Sequence, residues 1–124
     1  MLSILAARLG GIRIKGVDID DTAVDNAREN IVINKTPSVI IEKGSIERAK
    51  GDDPYDFVAA NLSNETILEN YAEIERITVQ GGVIVLSGLI AEEKSPVLEL
   101  IRSHGRLDHK INREGEWLAI TITR

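Results

Sequence analysis

Length, composition and charge narrow the classes to which this chain can belong. Its 124 residues are 43% hydrophobic, which suits the apolar core of one compact domain. There are 20 acidic and 15 scattered basic side chains, so the formal net charge is -5 and direct non-specific nucleic-acid binding is disfavoured. The absence of cysteine excludes disulfides and cysteine-ligated metals and agrees with a cytoplasmic location. No apolar run approaches the roughly 20 residues needed to cross a bilayer, so we expect no membrane partner.

Helix and strand patterns alternate through the first half of the chain. Apolar residues at helical spacing predict a short opening helix that stops at Gly10-Gly11. Alternating β-branched residues predict a strand over 12–20 that ends in acidic side chains. Asp21 or Thr22 is the expected cap of a helix that ends near Asn34. Apolar runs at 39–41 and 57–60 predict two more strands.

The alternation continues in the second half. The predicted elements are a helix, a strand, a helix and two strands, over residues 64–78, 83–86, 91–104, 106–111 and 117–123. Gly81-Gly82 are expected to separate the first helix from its strand, and Pro96 is compatible only with the first turn of the second helix. Residues 112–115 indicate a hairpin turn, so the final strand should be antiparallel and lie at the end of the sheet.

These patterns together predict the fold class. Strands that alternate with helices through short loops are typical of α/β domains with a largely parallel sheet. We therefore expect one α/β domain over residues 1–124, with an antiparallel terminal strand.

Polar segments follow several of the predicted strands. In an open parallel sheet, ligands bind where the carboxyl ends of the strands meet. The segments that should meet there, called the rim below, are residues 18–20, 44–45, 61–63 and 87–88. The rim is the predicted functional site.

Asp18 is the first candidate at the rim. A carboxylate after the second strand of a nucleotide-binding fold accepts hydrogen bonds from both ribose hydroxyls, and the next apolar side chain, here Ile19, covers the adenine. The alternative is that Asp18, Asp20 and Asp21 only cap the following helix and complement its dipole. We assign ribose binding to Asp18 and capping to the other two.

Two further rim segments are less specific. Gly44-Ser45 is ordinary turn chemistry when taken alone. The amide of Asn61 offers a donor and an acceptor near a reacting centre, although Asn61, Ser63 or Asn64 could equally cap the next helix. His104 and His109 are predicted to lie away from the rim, and without cysteine or a close acidic partner a histidine metal site is not expected.

Seven stretches, in order and spacing, resemble one family across essentially the whole chain. They are residues 16–20, 23–30, 42–45, 58–62, 81–82, 86–90 and 114–117. The Asn-Leu pair at 61–62, Ser-Gly-Leu-Ile at 87–90 and Gly-Glu-Trp at 115–117 are the most particular. On these residues the sequence resembles the ribosomal protein L11 methyltransferase family, whose catalytic domain is Rossmann-like.

The resemblance implies a cofactor, a substrate and site residues. The cofactor would be S-adenosylmethionine. Asp18 would bind its ribose, Ile19 and the Gly44-Ser45 region would surround its adenine, and Asn61 would also contact the cofactor. Asn61 with Leu62 would shape the pocket for the incoming amine. Members of the family methylate lysine side chains and the terminal amine of a ribosomal protein. Direct transfer to an amine depends on alignment and desolvation, so no dedicated base is expected.

The sequence also departs from the family's pattern. The family places a strand and a glycine-rich cofactor loop before the first helix, and this chain begins within that helix. Its amino-terminal substrate-recognition domain is missing as well, and Asp21 and Gln80 stand where prolines are often found. We therefore expect a truncated domain whose activity is impaired by the missing loop.

The missing strand would be central in this fold, between the strands that end at Asp18 and Asn61. Each buried, unsatisfied backbone group costs on the order of 1 to 3 kcal/mol, so the gap should be filled. The strands could close on one another, a second copy could donate an edge to form a homodimer, or the natural protein could be longer.

Two rival functions remain at this point. One is a degenerate methyltransferase fold that binds a protein partner or a nucleoside fragment without chemistry. The other is a fragment of a nicotinamide-dependent oxidoreductase, because an aspartate after the second strand also serves such folds. The segments at 61–62 and 115–117 argue against the oxidoreductase.

Overall fold

The computed structural model describes residues 1–106 and 108–124. It divides the chain into two compact units, Met1–Lys50 and Gly51–Arg124. Each unit is an α/β arrangement with its own sheet. That the whole chain forms one domain stays a prediction.

The first unit contains two helices and two parallel strands. In chain order they are α1 (Leu2–Arg8), β1 (Ile14–Asp18), α2 (Asp21–Asn34) and β2 (Val39–Lys43), followed by a one-turn 3₁₀ helix (Ile46–Ala49). Strands β1 and β2 pair in parallel from Ile14 opposite Val39 to Asp18 opposite Lys43. Gly10, with φ of 98°, follows α1 as the predicted helix stop.

The second unit is built on a mixed four-stranded sheet in the order β3-β4-β6-β5. Its elements are β3 (Tyr55–Asn61), α3 (Asn64–Arg76), β4 (Thr78–Ile90), a short 3₁₀ helix (Ala91–Glu93), α4 (Ser95–Ser103), β5 (His109–Glu114) and β6 (Trp117–Thr123). Strands β3 and β4 are parallel, whereas β6 is antiparallel to both β4 and β5. The last strand is therefore antiparallel, as predicted, but lies one position inside the edge that β5 forms.

The core of the second unit follows the periodicity of its elements. On β4 and β6 the buried residues alternate with less buried ones, whereas on α3 and α4 they recur at helical spacing. The fully buried side chains include Ile67, Tyr71, Ile74, Ile84, Leu86, Val97, Ile101, Ile120 and Ile122. None of the helices in the described ranges is long and apolar enough to span a bilayer.

Several element boundaries differ from the predicted ones. Strand β4 begins at Thr78 and continues through Gly81-Gly82, which were expected to precede the strand. Gly81 has φ of 79°, and a Cβ on Gly82 would lie 2.8 Å from Thr78 Cγ2. Glycine at 81 permits the positive φ and glycine at 82 avoids a collision with Thr78, so the strand continues through both positions. Arg124 extends the ladder here, because its N–H donates to the Gly82 oxygen and its oxygen accepts from the Gly81 N–H.

Two other predictions need correction. The helix predicted over 91–104 is interrupted: Ala91–Glu93 form a 3₁₀ turn and α4 starts at Ser95, with Pro96 in its first turn as expected. The strand predicted over 106–111 begins at His109 and continues to Glu114. It was placed partly on Leu107, which lies outside the described residues. The hairpin turn is correspondingly short, at Gly115 and Glu116.

A buried carboxylate ties α3 to the segment after α4. Glu75, 8% exposed, accepts a hydrogen bond from Arg106 Nε at 2.8 Å, and its other oxygen lies 2.7 Å from His104 Nδ1. The His104 ring packs edge-on against Tyr71, with the centroids 5.0 Å apart. Burial by itself raises the pKa of Glu75, but the hydrogen bonds from Arg106 and His104 outweigh it and hold the pKa below its ordinary value.

This network gives the first prediction. Glu75→Gln should lower the free energy of unfolding by about 1–3 kcal/mol at pH 7, because it removes a buried charge that pairs with Arg106. A carboxyl whose pKa is depressed on folding contributes stability above its ordinary pKa of 4.5 and loses that contribution as the pH falls through the folded value. The difference between the two proteins should therefore shrink below about pH 4.5.

Urea denaturation of the wild type and the variant from pH 7 to pH 3 checks this. Glu69→Gln is the matched control, since Glu69 is an exposed residue of the same helix. A Glu75→Gln deficit that is equal at every pH, or no larger than that of Glu69→Gln, would contradict the assigned role.

Candidate functional site

In the first unit, parallel pairing brings two predicted site segments together. Asp18 ends β1 opposite Lys43, the last residue of β2. The Gly44 N–H then donates to the Asp18 carbonyl oxygen at 2.8 Å, which continues the ladder by one more bond. Asp18-Ile19 and Gly44-Ser45 therefore leave their strands at the same edge.

The three aspartates at this edge have separate roles. Asp20 caps α2, because its Oδ1 accepts from the Ala23 N–H at 2.9 Å; the prediction that Asp21 or Thr22 is the cap was wrong. The Asp21 carboxylate instead forms a 2.7 Å ion pair with Lys43. Asp18 Oδ1 accepts from the Asp20 N–H at 3.0 Å, within the loop and not in the helix. The carboxylate of Asp18 is exposed and is not used as a helix cap.

A cleft of about 470 Å³ opens beside these strand ends. It is lined by Ile19, Gly44, Ser45, Glu47 and Arg48. The Ile19 side chain is 75% exposed, so it offers an apolar surface that a bound ligand would remove from water. Three of the predicted cofactor residues, Ile19, Gly44 and Ser45, thus share one cleft.

Sequence reasoning missed Glu47 and Arg48. They lie in the 3₁₀ helix, and a four-residue turn is too short to show a periodic pattern. The available signal was their position directly after Gly44-Ser45, which places a turn of chain against the strand end.

In the second unit, Asn61 ends β3 and lies opposite Ser87 of β4. Ser87 Oγ donates to Asn61 Oδ1 at 3.4 Å, and the Leu62 N–H donates to the Ser87 carbonyl oxygen at 3.0 Å. Ser63 caps α3, because its Oγ accepts from the Thr66 N–H at 3.3 Å. Asn61 is therefore not a helix cap, and its side chain is held at the strand end.

Gly88 is fitted closely to Asn61. A Cβ on Gly88 would lie 2.6 Å from Asn61 Oδ1 and 3.1 Å from the Leu62 carbonyl oxygen, and its φ is 81°. Only glycine meets both conditions without a shift of the neighbours. The close approach sets the position of the Asn61 amide.

Asn61, Gly88 and Trp117 line a second cleft, of about 330 Å³. The indole of Trp117 is 54% exposed and provides the apolar wall. Trp117 was not among the predicted site residues. Two signals could have identified Trp117: it belongs to the Gly-Glu-Trp segment at 115–117, and it is the one tryptophan of the sequence. Leu62, which was predicted to shape the amine pocket with Asn61, is not among the lining residues and is positioned through its backbone.

Comparison with known proteins adds to this geometry. The sequence matches the family described as ribosomal protein L11 methyltransferase (PrmA) over residues 1–124. The chain belongs to the ribosomal protein L11 methyltransferase family. The resemblance seen in the sequence is confirmed by this match.

Curated members of the L11 methyltransferase family align over nearly all of the chain. A protein of that name from Listeria welshimeri is 32% identical over 125 residues, which cover 100% of this chain and 40% of that protein. One from Acetivibrio thermocellus is 34% identical and covers 98% of this chain and 39% of its own length. The chain thus spans about 40% of the length of the curated relatives.

Solved structures confirm the Rossmann-like methyltransferase fold. The ribosomal protein L11 methylase of Lactobacillus delbrueckii superposes with a TM-score of 0.90 at 24% identity, covering 99% of this chain and 63% of that one. The O-methyltransferase of Bacillus cereus in complex with SAH superposes with a TM-score of 0.80 at 15% identity, covering 98% and 68%. The predicted α/β class, with parallel strands and an antiparallel last strand, is therefore correct.

The structure places the predicted rim segments at strand ends within each unit, and that they bind a ligand stays a prediction. Within the first unit the structure brings Asp18, Ile19, Gly44 and Ser45 to one strand edge, and within the second it brings Asn61 and Leu62 to Ser87-Gly88. That the two sets form one site stays a prediction.

The fit of Gly88 against Asn61 gives the second prediction. Gly88→Ala should lower the free energy of unfolding by about 1 kcal/mol through backbone strain at positive φ and by a further 1–3 kcal/mol, roughly, through the collision with Asn61. Gly81→Ala is the matched control, because Gly81 lies on the same strand with φ of 79° and a Cβ there meets nothing within 4 Å. Denaturant unfolding that gave equal losses for the two variants would refute the close-approach argument.

Proposed function

We propose that this chain carries nucleoside-binding and amine-binding residues of an S-adenosylmethionine-dependent methyltransferase that acts on amines of a ribosomal protein. The observation that carries the proposal is the exposed Asp18 carboxylate at the carboxyl end of β1, next to the cleft of Ile19, Gly44 and Ser45, in a chain that matches the L11 methyltransferase family throughout.

The residues at the end of β1 and β2 suit the nucleoside part of the cofactor. The Asp18 carboxylate does not cap a helix, and it can accept hydrogen bonds from two ribose hydroxyls. Ile19 supplies an apolar surface for the adenine, and Gly44 keeps the turn beside it free of a side chain. When bound, S-adenosylmethionine supplies an electrophilic methyl group on a sulfonium.

The residues at the end of β3 and β4 suit an amine. Asn61 Oδ1 is fixed by Ser87 and Gly88, and its remaining lone pair can accept from an amine N–H. The exposed face of Trp117 excludes water from one side of the same cleft, which favours a neutral, nucleophilic nitrogen. Alignment and desolvation are the contributions that these residues make to the reaction.

A ribosomal protein as the substrate follows from the names of the relatives and belongs to the same proposal.

The test is calorimetric titration with S-adenosylhomocysteine. Asp18→Asn should weaken binding about tenfold or more, because charge-assisted hydrogen bonds contribute roughly 1.5–3 kcal/mol. Asp25→Asn is the matched control, since Asp25 is an exposed residue of α2 that pairs with Arg28 at 3.4 Å. A folded wild type that binds no S-adenosylhomocysteine, or an Asp18→Asn variant that binds as tightly as the wild type, would refute the proposal.

A homodimer is proposed on a separate feature, the edge strand β3. It lies at one end of its sheet, and its Phe57 is 53% exposed. If two copies of β3 paired antiparallel about Val58, Asp56 of each copy would face Ala60 of the other, so no like charges would oppose. A strand at the edge of a sheet is otherwise prone to non-specific pairing.

Light scattering at micromolar concentration should therefore give twice the chain mass of 13.6 kDa. Ala59→Lys, which places a charge in the middle of the edge, should shift the protein to monomer, whereas Ala72→Lys on the exposed side of α3 should not. A wild type of monomeric mass would rule the dimer out.

A further inference from the structure

We propose that Arg48 binds the base of a nucleoside in the first cleft. Its guanidinium would form a planar wall on which the base stacks, with Ile19 as the apolar surface on the other side. The inference rests on the proposed function, because it assigns a residue to the same nucleoside site.

The side chain of Arg48 is held at Nε, and the Nη end of its guanidinium is available to a ligand. Arg48 Nε donates to the Lys43 carbonyl oxygen at 3.1 Å. Among the described residues, no hydrogen bond is made by its two Nη atoms. An exposed arginine ordinarily loses rotamer freedom when a ligand fixes it. Here the Nε bond has already fixed most of the side chain, so the guanidinium is pre-organised at the cleft.

Gly44 explains why the side chain takes this path. A Cβ on Gly44 would lie 2.7 Å from Arg48 Cγ and 2.8 Å from Arg48 Nε. The aliphatic stem of Arg48 therefore crosses directly over the Gly44 Cα, through space that any other residue at position 44 would fill. The glycine predicted as part of the adenine region thus has a second role, which is to admit Arg48.

The turn that carries Arg48 is itself held to the strands. The Arg48 N–H donates to the Ser45 carbonyl oxygen at 3.0 Å, and the Arg48 carbonyl oxygen accepts from Lys15 Nζ at 2.9 Å. Lys15 also lies 3.5 Å from the Glu42 carboxylate, and Ala49 is buried at 6% exposure. The backbone of Arg48 is therefore connected to β1 and β2 through Lys15.

The chemistry of the lining favours a flat, uncharged aromatic ring. A guanidinium is planar and weakly hydrated, and it stacks on aromatic faces in a way that a lysine ammonium does not. Ile19 contributes apolar area, and Ser45 adds a hydroxyl at the edge of the same cleft. A base that lies between Ile19 and Arg48, with its ribose hydrogen-bonded to Asp18, would contact the apolar surface, the guanidinium plane and the carboxylate.

The experiment titrates S-adenosylhomocysteine and adenosine into the wild type and three variants, Arg48→Ala, Arg48→Lys and Asp18→Asn. Stacking on arginine contributes about 0.5–2 kcal/mol, so Arg48→Ala should weaken both ligands by roughly 2- to 30-fold. Arg48→Lys should lose as much, because it keeps the charge and lacks the plane. Arg28→Ala, an exposed arginine of α2 that pairs with Asp25, should bind like the wild type.

The outcomes separate the inference from the function beneath it. If Arg48→Ala or Arg48→Lys binds like the wild type while Asp18→Asn binds weakly, the role of Arg48 is overturned and the nucleoside site stands. If both Arg48 variants bind weakly and Asp18→Asn does not, Arg48 is supported and the ribose contact fails. A folded wild type that binds neither ligand overturns both.

Discussion

Parallel pairing of strands is the constraint that brings Asp18 to Gly44 and Asn61 to Ser87. Two parallel strands end at the same edge, so residues far apart in sequence meet without any attraction between their side chains. The bond from the Gly44 N–H to the Asp18 oxygen fixes one such meeting, and the Leu62 N–H to the Ser87 oxygen fixes the other. The side chains then only complete an arrangement that the backbone imposes. Strand pairing thus places the strand ends, and the segments that follow the strands, Ile19 and residues 44–48, line the first cleft.

Sequence reasoning located the strand ends because the signals there are local. An acidic pair after an apolar strand, or a glycine after a short one, is visible within a few residues, and this was enough to identify Asp18, Ile19, Gly44 and Asn61. It could not separate Asp20 from Asp21 as the cap of α2, since both are good capping residues and the choice depends on where the backbone turns helical. Arg48 and Trp117 were missed because the clefts that they line form only in the folded structure.

Long-range polar contacts were likewise beyond sequence reasoning. Glu75 meets His104 and Arg106 across 29 and 31 residues. Its spacing from Ile67 and Tyr71 places it on the buried face of α3, but that spacing does not reveal its two partners. Its position on the inner face of the helix requires partners, because a buried carboxylate without them would be neutralised or exposed. The network therefore also fixes how the chain leaves α4 before it enters β5. Secondary structure was predictable here, while the junctions between elements were set by such buried pairs.

The strand order of the second unit constrains how it can be made. Strand β6 lies between β4 and β5, so β5 has no partner in the sheet until residues 117–123 are available. During synthesis, the apolar edge of β4 that will pair with β6 therefore stays open while about 27 further residues are added. At roughly 5–20 residues per second this takes seconds. Exposure of that edge to other chains, or to a chaperone, is built into the topology. The β5–β6 hairpin can therefore complete this four-stranded sheet only after β6 has been synthesised.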